Sequence, residues 1–182
     1  MKKCDCPLCK FENPKVTATA VVIKDQKILV GKRSQKGKSF YGKWDFFGGY
    51  LQKNETPEDG LKREIKEELD VECEPTFIGS FTGTASYHEF EFPVISFAYL
   101  TELGGEIKLN KKENSEISWI PVEKLNDIAF DSNQKILKFI KEKFGKVYIG
   151  GLSIIKMRIK YLIFLLPIIL LSMMILALDL TI

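Results

Sequence analysis

One histidine, His88, is all the imidazole that this chain of 182 residues carries. It alone could act as an imidazole acid or base near neutral pH, and a lone histidine in a strand or loop is more often incidental. No apolar leader precedes the four cysteines, Cys4, Cys6, Cys9 and Cys73, so a reducing, cytosolic setting is expected for the body. An excess of one charge is missing too. Lys and Arg number 27 against 24 Asp and Glu, a net of +3, and three of the cations (Lys156, Arg158, Lys160) follow Gly150. That balance gives no polybasic face, and no nucleic-acid partner is expected. There is no internal repeat, and the length predicts one hydrophobic core with something small added.

Charge disappears altogether between Tyr161 and Leu178, 18 residues in which Ser172 is the only aliphatic hydroxyl. A bilayer core needs roughly 17 to 25 residues of helix, so the run predicts one transmembrane helix. Pro167 sits inside it, where a bilayer helix tolerates proline better than a soluble one. A buried core helix is the alternative, but the run has no polar face to show to water. Lys156, Arg158 and Lys160 precede it while only Asp179 follows, which predicts a single-pass C-terminal anchor with the body on the cytoplasmic side.

The organisation expected is a Cys-containing stub over 1–14, a folded domain over 15–145, a basic linker over 146–160 and the spanning helix over 161–178. Lys15 to Ile23 is rich in β-branched residues, Lys24-Asp25-Gln26 is a polar turn, and Lys27 to Lys32 is apolar again, which together read as a hairpin. Trp44 to Leu51 has strand character after a polar, glycine-containing loop over 35–42. Thr56 is a good N-cap, Pro57 suits the first helical position, and Glu58 and Asp59 favour the positive end of the helix dipole. A helix from Pro57 to about Leu69 follows. Thr76 to Thr82 and Phe92 to Leu100 read as strands, Val122 to Asn126 as a short helix, and Asn133 to Phe144 as an amphipathic one.

On the Pro57 helix, 100° per residue puts Glu64, Glu67 and Glu68 within about 100° of one another. Leu61, Ile65 and Leu69 form the adjoining apolar stripe, so the acidic face lies at the edge of the core. Like charges four residues apart destabilise a helix by ~0.2 to 0.5 kcal/mol, which makes the arrangement odd unless a cation compensates. Oxygen-only donors point to Mg²⁺, with Mn²⁺ as substitute. The bland reading is a solvated helix balanced by Lys62, Arg63 and Lys66. The glycines at 48 and 49 weigh against it, because they let backbone approach a ligand closely.

The spacing is Gly49, five residues, Glu55, seven residues, Arg63-Glu64-Ile65, one residue, Glu67-Glu68, one residue, then Asp70-Val71. This run from Gly49 to Val71 resembles the Nudix box, with Asp70 where the family has Gly. Lys43-Trp44-Asp45 before it and Ser118-Trp119-Ile120 after it agree with the family, so the resemblance extends from about Thr17 to about Lys143. Phe47 stands in place of a usual Pro, and Asn54 in place of a common Gly. The resemblance implies an α+β fold, an α/β/α sandwich with a mixed β-sheet. It implies Glu64, Glu67, Glu68 and the carbonyl of Gly48 as metal ligands, and Arg63 with Glu55 as an orienting pair. A further carboxylate often assists in this family, and Glu113 or Glu116 before Trp119 could supply it; Glu116 is taken for its place relative to Trp119.

The expected activity is that of a Nudix hydrolase, a pyrophosphohydrolase in which metal-activated water attacks a diphosphate linkage in a nucleoside diphosphate derivative. ADP-ribose, a dinucleoside polyphosphate and an oxidised nucleoside triphosphate are the candidates. The alternative is a Nudix-fold nucleotide-binding or sensor module at the membrane, against which the intact glutamates argue. A homodimer stays open. Cys4, Cys6 and Cys9 resemble half of a zinc ribbon that some family members carry, but tetrahedral zinc needs a fourth ligand from Cys73, His88 or another chain. Zinc there is not the expectation; a metal-free stub is.

Overall fold

A computed structural model describes residues 13–34, 39–87 and 90–144. They fall within the first of two compact units, Met1–Gly145. The Cys4, Cys6 and Cys9 cluster, His88, the linker over 146–160 and the spanning helix expected over 161–178 lie outside the described residues. Among the described residues no helix is long and apolar enough to cross a membrane.

The order of elements is β1 (Lys15–Val21), β2 (Ile23–Lys24), β3 (Lys27–Arg33), β4 (Trp44–Asp45), β5 (Phe47–Tyr50), α1 (Pro57–Leu69), β6 (Glu72–Tyr87), β7 (Phe90–Gly104), β8 (Asn114–Pro121) and α2 (Asp131–Phe144). Four strands form a mixed sheet in the order β5-β1-β7-β6, with β1 parallel to β7 and the other pairs antiparallel. A second, antiparallel sheet joins β2, β3 and β4, with β8 along β3.

Alternation along the strands sends side chains to two cores. Ala18, Ala20 and Tyr99 pack with Leu61, Ile65 and Leu69 of α1; Val21 and Ala98 pack with Ile136, Leu137 and Ile140 of α2. The mixed sheet therefore lies between the two helices.

The expected hairpin is corrected in one respect. β1 does not pair with β3; it lies between β5 and β7, and only Ile23 and Lys24 turn back along β3, through left-handed Asp25 and Gln26. Ala18 to Val21 are buried, and a strand so enclosed gains backbone partners on both edges only in the middle of a sheet. The short helix expected over Val122 to Asn126 is instead a turn, in which Lys124 and Leu125 both donate to the carbonyl of Pro121.

Helix α1 keeps the bounds its sequence signals give. The amide of Asp59 donates to the Thr56 hydroxyl, and Asp70 ends the helix in left-handed backbone at φ 54°. Segment 108–110 closes its C-terminus: the amides of Lys108 and Asn110 donate to the carbonyls of Leu69 and Glu68, which would otherwise lack partners. At the other end, buried Tyr99 donates its hydroxyl to Glu58 at 2.7 Å and fastens the first turn to β7. Replacing Thr56 with Ala should cost about 1 kcal/mol of stability in urea or thermal unfolding; no measurable loss would show that the packing of Leu61, Ile65 and Leu69 alone sets the helix start.

Candidate active site

The acidic face of α1 meets the β4–β5 segment, and each of its glutamates meets a different environment. Glu68 points inward and is buried; Gly48 donates its amide to one carboxylate oxygen at 2.8 Å, and Asn114 donates its side-chain amide to the other at 3.0 Å. Burial pushes this carboxyl up to about 8, with the nearby charges of Glu113, Glu64 and Asp45 adding to the rise and the Gly48 hydrogen bond opposing it. Glu64 lies under Gly49, where a Cβ would approach its carboxylate to 2.5 Å, and burial raises its pKa as well. Glu67 faces outward, with its side chain 56 % exposed.

Glycine at 48 is a requirement of the backbone. Its φ is 128°, and a Cβ there would run into the carbonyl oxygen of Ala18 on the neighbouring strand. The close approach of β5 to β1 is what lets the Gly48 amide reach Glu68.

Arg63 organises the outer side. Its Nε and Nη2 donate to the two oxygens of Glu55 at 2.6 and 3.1 Å, Nη1 donates to Glu64 at 2.8 Å, and Nη2 also reaches the carbonyl of Tyr50 at 3.1 Å. Glu55 in turn accepts from the amide of Gln52 at 2.7 Å, and the guanidinium holds its carboxyl below the usual range. The loop from Tyr50 to Thr56, with Asn54 left-handed at φ 68°, is thereby latched to the helix.

A pocket opens beside Glu68, lined by Arg33, Asp45, Phe46, Gly48, Glu113 and Asn114. Of the two loop carboxylates considered, Glu113 is the one at this pocket. Glu116 lies on β8 and is exposed, paired with Lys32 at 2.9 Å, and the structure does not bring it to the cluster. Arg33, Asp45, Asn114 and Asn133 were not expected. Asp45 is buried, accepts from Arg33 at 3.0 Å and from Asn133 at 2.7 Å, and is pushed up to about 6 by burial. A single acid between apolar Trp44 and Phe46 was a legible hint of it. Asn114, 46 positions from its partner Glu68, gave no local signal. Cys73, offered as a fourth zinc ligand, is buried in the α1 core beside Val71.

Among the described residues, no three acidic, histidine or cysteine side chains stand gathered as a ready cage for a metal ion. Arg63 engages Glu64, and Glu67 turns to solvent. The donor chemistry nevertheless fits a hard cation: the groups are oxygens, and the crowding of Glu64, Glu68, Glu113 and Asp45 raises the cost of ionising Glu68, which a positive charge would reverse.

The raised carboxyls fix a sign for the pH response without metal. Glu68 and Asp45 titrate near 8 and 6 when folded, against ordinary values of 4.5 and 3.8. The folded chain then holds protons that the unfolded chain releases, so their contribution is full below about pH 4 and is lost as pH rises to about 8. Melting in chelator should fall across pH 5 to 8, and Glu68→Gln should flatten that slope. A slope unchanged by the substitution would remove Glu68 as its source.

A model of the NUDIX domain matches residues 13–141. The ADP-ribose pyrophosphatase of Methanocaldococcus jannaschii is 30 % identical over 138 residues, covering 74 % of this chain and 78 % of that protein. A MutT-like protein of Streptomyces ambofaciens is 26 % identical over 110 residues, 60 % of this chain and 65 % of its own length. Among solved structures, the E. coli ORF135 protein aligns over 79 % of this chain and 100 % of its own, with TM-score 0.61 and 19 % identity. The MutT protein from Methanosarcina mazei aligns over 73 % and 97 %, with TM-score 0.60 and 23 % identity. At such identities these structures speak to the fold alone. The family model spans well over half of the sequence and the Methanocaldococcus relative aligns over most of both chains, so this chain belongs to the Nudix family.

Proposed function

We propose that this protein hydrolyses the diphosphate linkage of a nucleoside diphosphate derivative, with ADP-ribose as the leading substrate. The match to the Methanocaldococcus jannaschii protein named for that activity supports the choice. A dinucleoside polyphosphate or an oxidised nucleoside triphosphate belongs to the same class. One observation carries the reading: Glu68 is buried among other carboxylates, under a glycine backbone and at the wall of an open pocket.

Glu64, Glu67, Glu68 and the carbonyl of Gly48 would hold Mg²⁺ or Mn²⁺, and Glu113 is the loop carboxylate nearest to join them. Such an ion lowers the pKa of a bound water and neutralises phosphate charge. The chain's own groups set the rest. Gly48 and Asn114 fix the Glu68 carboxylate at the pocket wall. Arg63 ties Glu64 and the Glu55 loop into one rigid unit, and Arg33 contributes positive charge to the pocket wall.

The body would be held at the cytoplasmic face of a membrane by residues 161–178. The uncharged 18-residue run and the basic residues before it support this. Full-length protein should need detergent to leave the membrane fraction; recovery as soluble, unaggregated protein would sink the anchor.

Glu67→Gln and Glu68→Gln should each lose most activity, several kcal/mol in transition-state stabilisation, about 100-fold or more in kcat. The change keeps size and removes charge, so fold should persist. Glu123→Gln, an exposed site away from the cluster, should behave as wild type. Undiminished turnover in excess chelator, or full activity in both box variants, would overturn the metal-dependent reading.

A further inference from the structure

We propose that Asn110 is a positioning residue of this site, setting the distance between the glutamates of α1 and the turn that carries Glu113 and Asn114; the role rests on the diphosphate-hydrolase reading above. On one side its backbone amide donates to the carbonyl of Glu68 at 2.8 Å, and its side-chain amide donates to the carbonyl of Glu67 at 3.2 Å. On the other, its side-chain oxygen accepts from the amide of Lys112 at 3.1 Å, and its carbonyl accepts from the amides of Glu113 and Asn114 at 3.3 and 3.4 Å. One residue thus joins the backbone of two glutamates to that of the turn over 111–113.

Water could satisfy the last carbonyls of a helix equally well, since what they lack is a donor of any kind. Water would leave the turn unattached. The tie needs a side chain that donates at one end and accepts at the other, and a neutral amide offers both. Asp or Ser could close the same turn by accepting from the amide two residues on, but an ionised Asp has no donor for Glu67 and Ser is shorter.

The turn depends on such a tie because the strand that follows it is irregular at its start. β8 pairs with β3, yet the register shifts between Lys32 and Arg33, and Arg33 is the residue opposite Asn114. A break of this kind disrupts the ladder locally and leaves it unable to fix the position by itself. Ser34 holds the turn from the β3 side, with its amide on the carbonyl of Glu113 and its hydroxyl on the carbonyl of Lys112, both at 3.0 Å. Asn110 holds it from the helix side. Between them the two ties place Glu113 at the pocket wall and aim the side chain of Asn114, which donates to Glu68 at 3.0 Å. Loss of the Asn110 tie would shift these groups relative to α1 while leaving every glutamate in place.

The test uses the full chain in detergent, with Mn²⁺ alone as the first probe and ADP-ribose as the second. Asn110→Ala should weaken Mn²⁺ binding about tenfold, read by electron paramagnetic resonance without substrate, and lower kcat on ADP-ribose by a similar factor. KM should change by less than about twofold, because the loss falls on the reacting end and not on binding shared by ground and transition states. Asn110→Ser keeps an acceptor for Lys112 and cannot reach Glu67; it should show the same losses, and it carries the test if Ala unfolds the turn. Tyr99→Phe removes a hydrogen bond from the opposite end of α1, so it should lower melting while keeping Mn²⁺ affinity and kcat. Asn110 variants that bind Mn²⁺ and turn over like wild type, or losses matched by Tyr99→Phe, would overturn the positioning role. Weakened Mn²⁺ binding in the variants of a chain that hydrolyses no diphosphate would uphold it and overturn the hydrolase reading instead. A wild type that binds no Mn²⁺ and turns over nothing would overturn both.

Discussion

The buried carboxylate of Glu68 is the constraint on which the site is built. An acid taken out of water costs free energy unless its oxygens find donors, and here the donors come from two distant parts of the chain. Gly48 can supply one because β5 lies so close to β1 that no Cβ fits, and Asn114 supplies the other from the start of β8. The helix and both sheets thus converge on one side chain. What remains uncompensated is charge: burial, with the neighbouring carboxylates adding to it, holds Glu68 protonated near neutrality until something positive arrives.

A second network runs beside the first with the opposite character. Arg33 meets Asp45, Asp45 meets Asn133 at the start of α2, and the guanidinium lies over Phe130. This couples β3 and β4 to α2, whose buried face packs in the core opposite to that of α1. The pocket between the networks is bounded by acids on one wall and an arginine on another. Arg63 and Glu55 serve a different purpose, holding the 50–56 loop so that Glu64 and the glycines keep their places.

Local chemistry made some elements legible. Thr56, Pro57 and the Leu61, Ile65, Leu69 stripe fixed where α1 starts and which face it buries, because a helix is specified by neighbours within a turn or two. The partner of β1 was not legible: a β-branched run announces a strand, but its pairing with β5 and β7 depends on where those strands lie. Glu113 and Glu116 show the same limit, since three positions on the approach to β8 separate a group at the pocket from one paired with Lys32 at the surface.

The sequence by itself determined the spacing of glycines, glutamates and arginine from Gly49 to Val71, and with it the family and the acidic helix face. Only the tertiary structure decided which glutamate is buried, which loop acid stands beside it, and that Arg33, Asp45, Asn114 and Asn133 share its surroundings. The physical reason is range. Capping and helical periodicity act over a few residues, whereas desolvation and charge crowding depend on groups that meet only after the chain has folded, such as Glu68 and an asparagine 46 positions away.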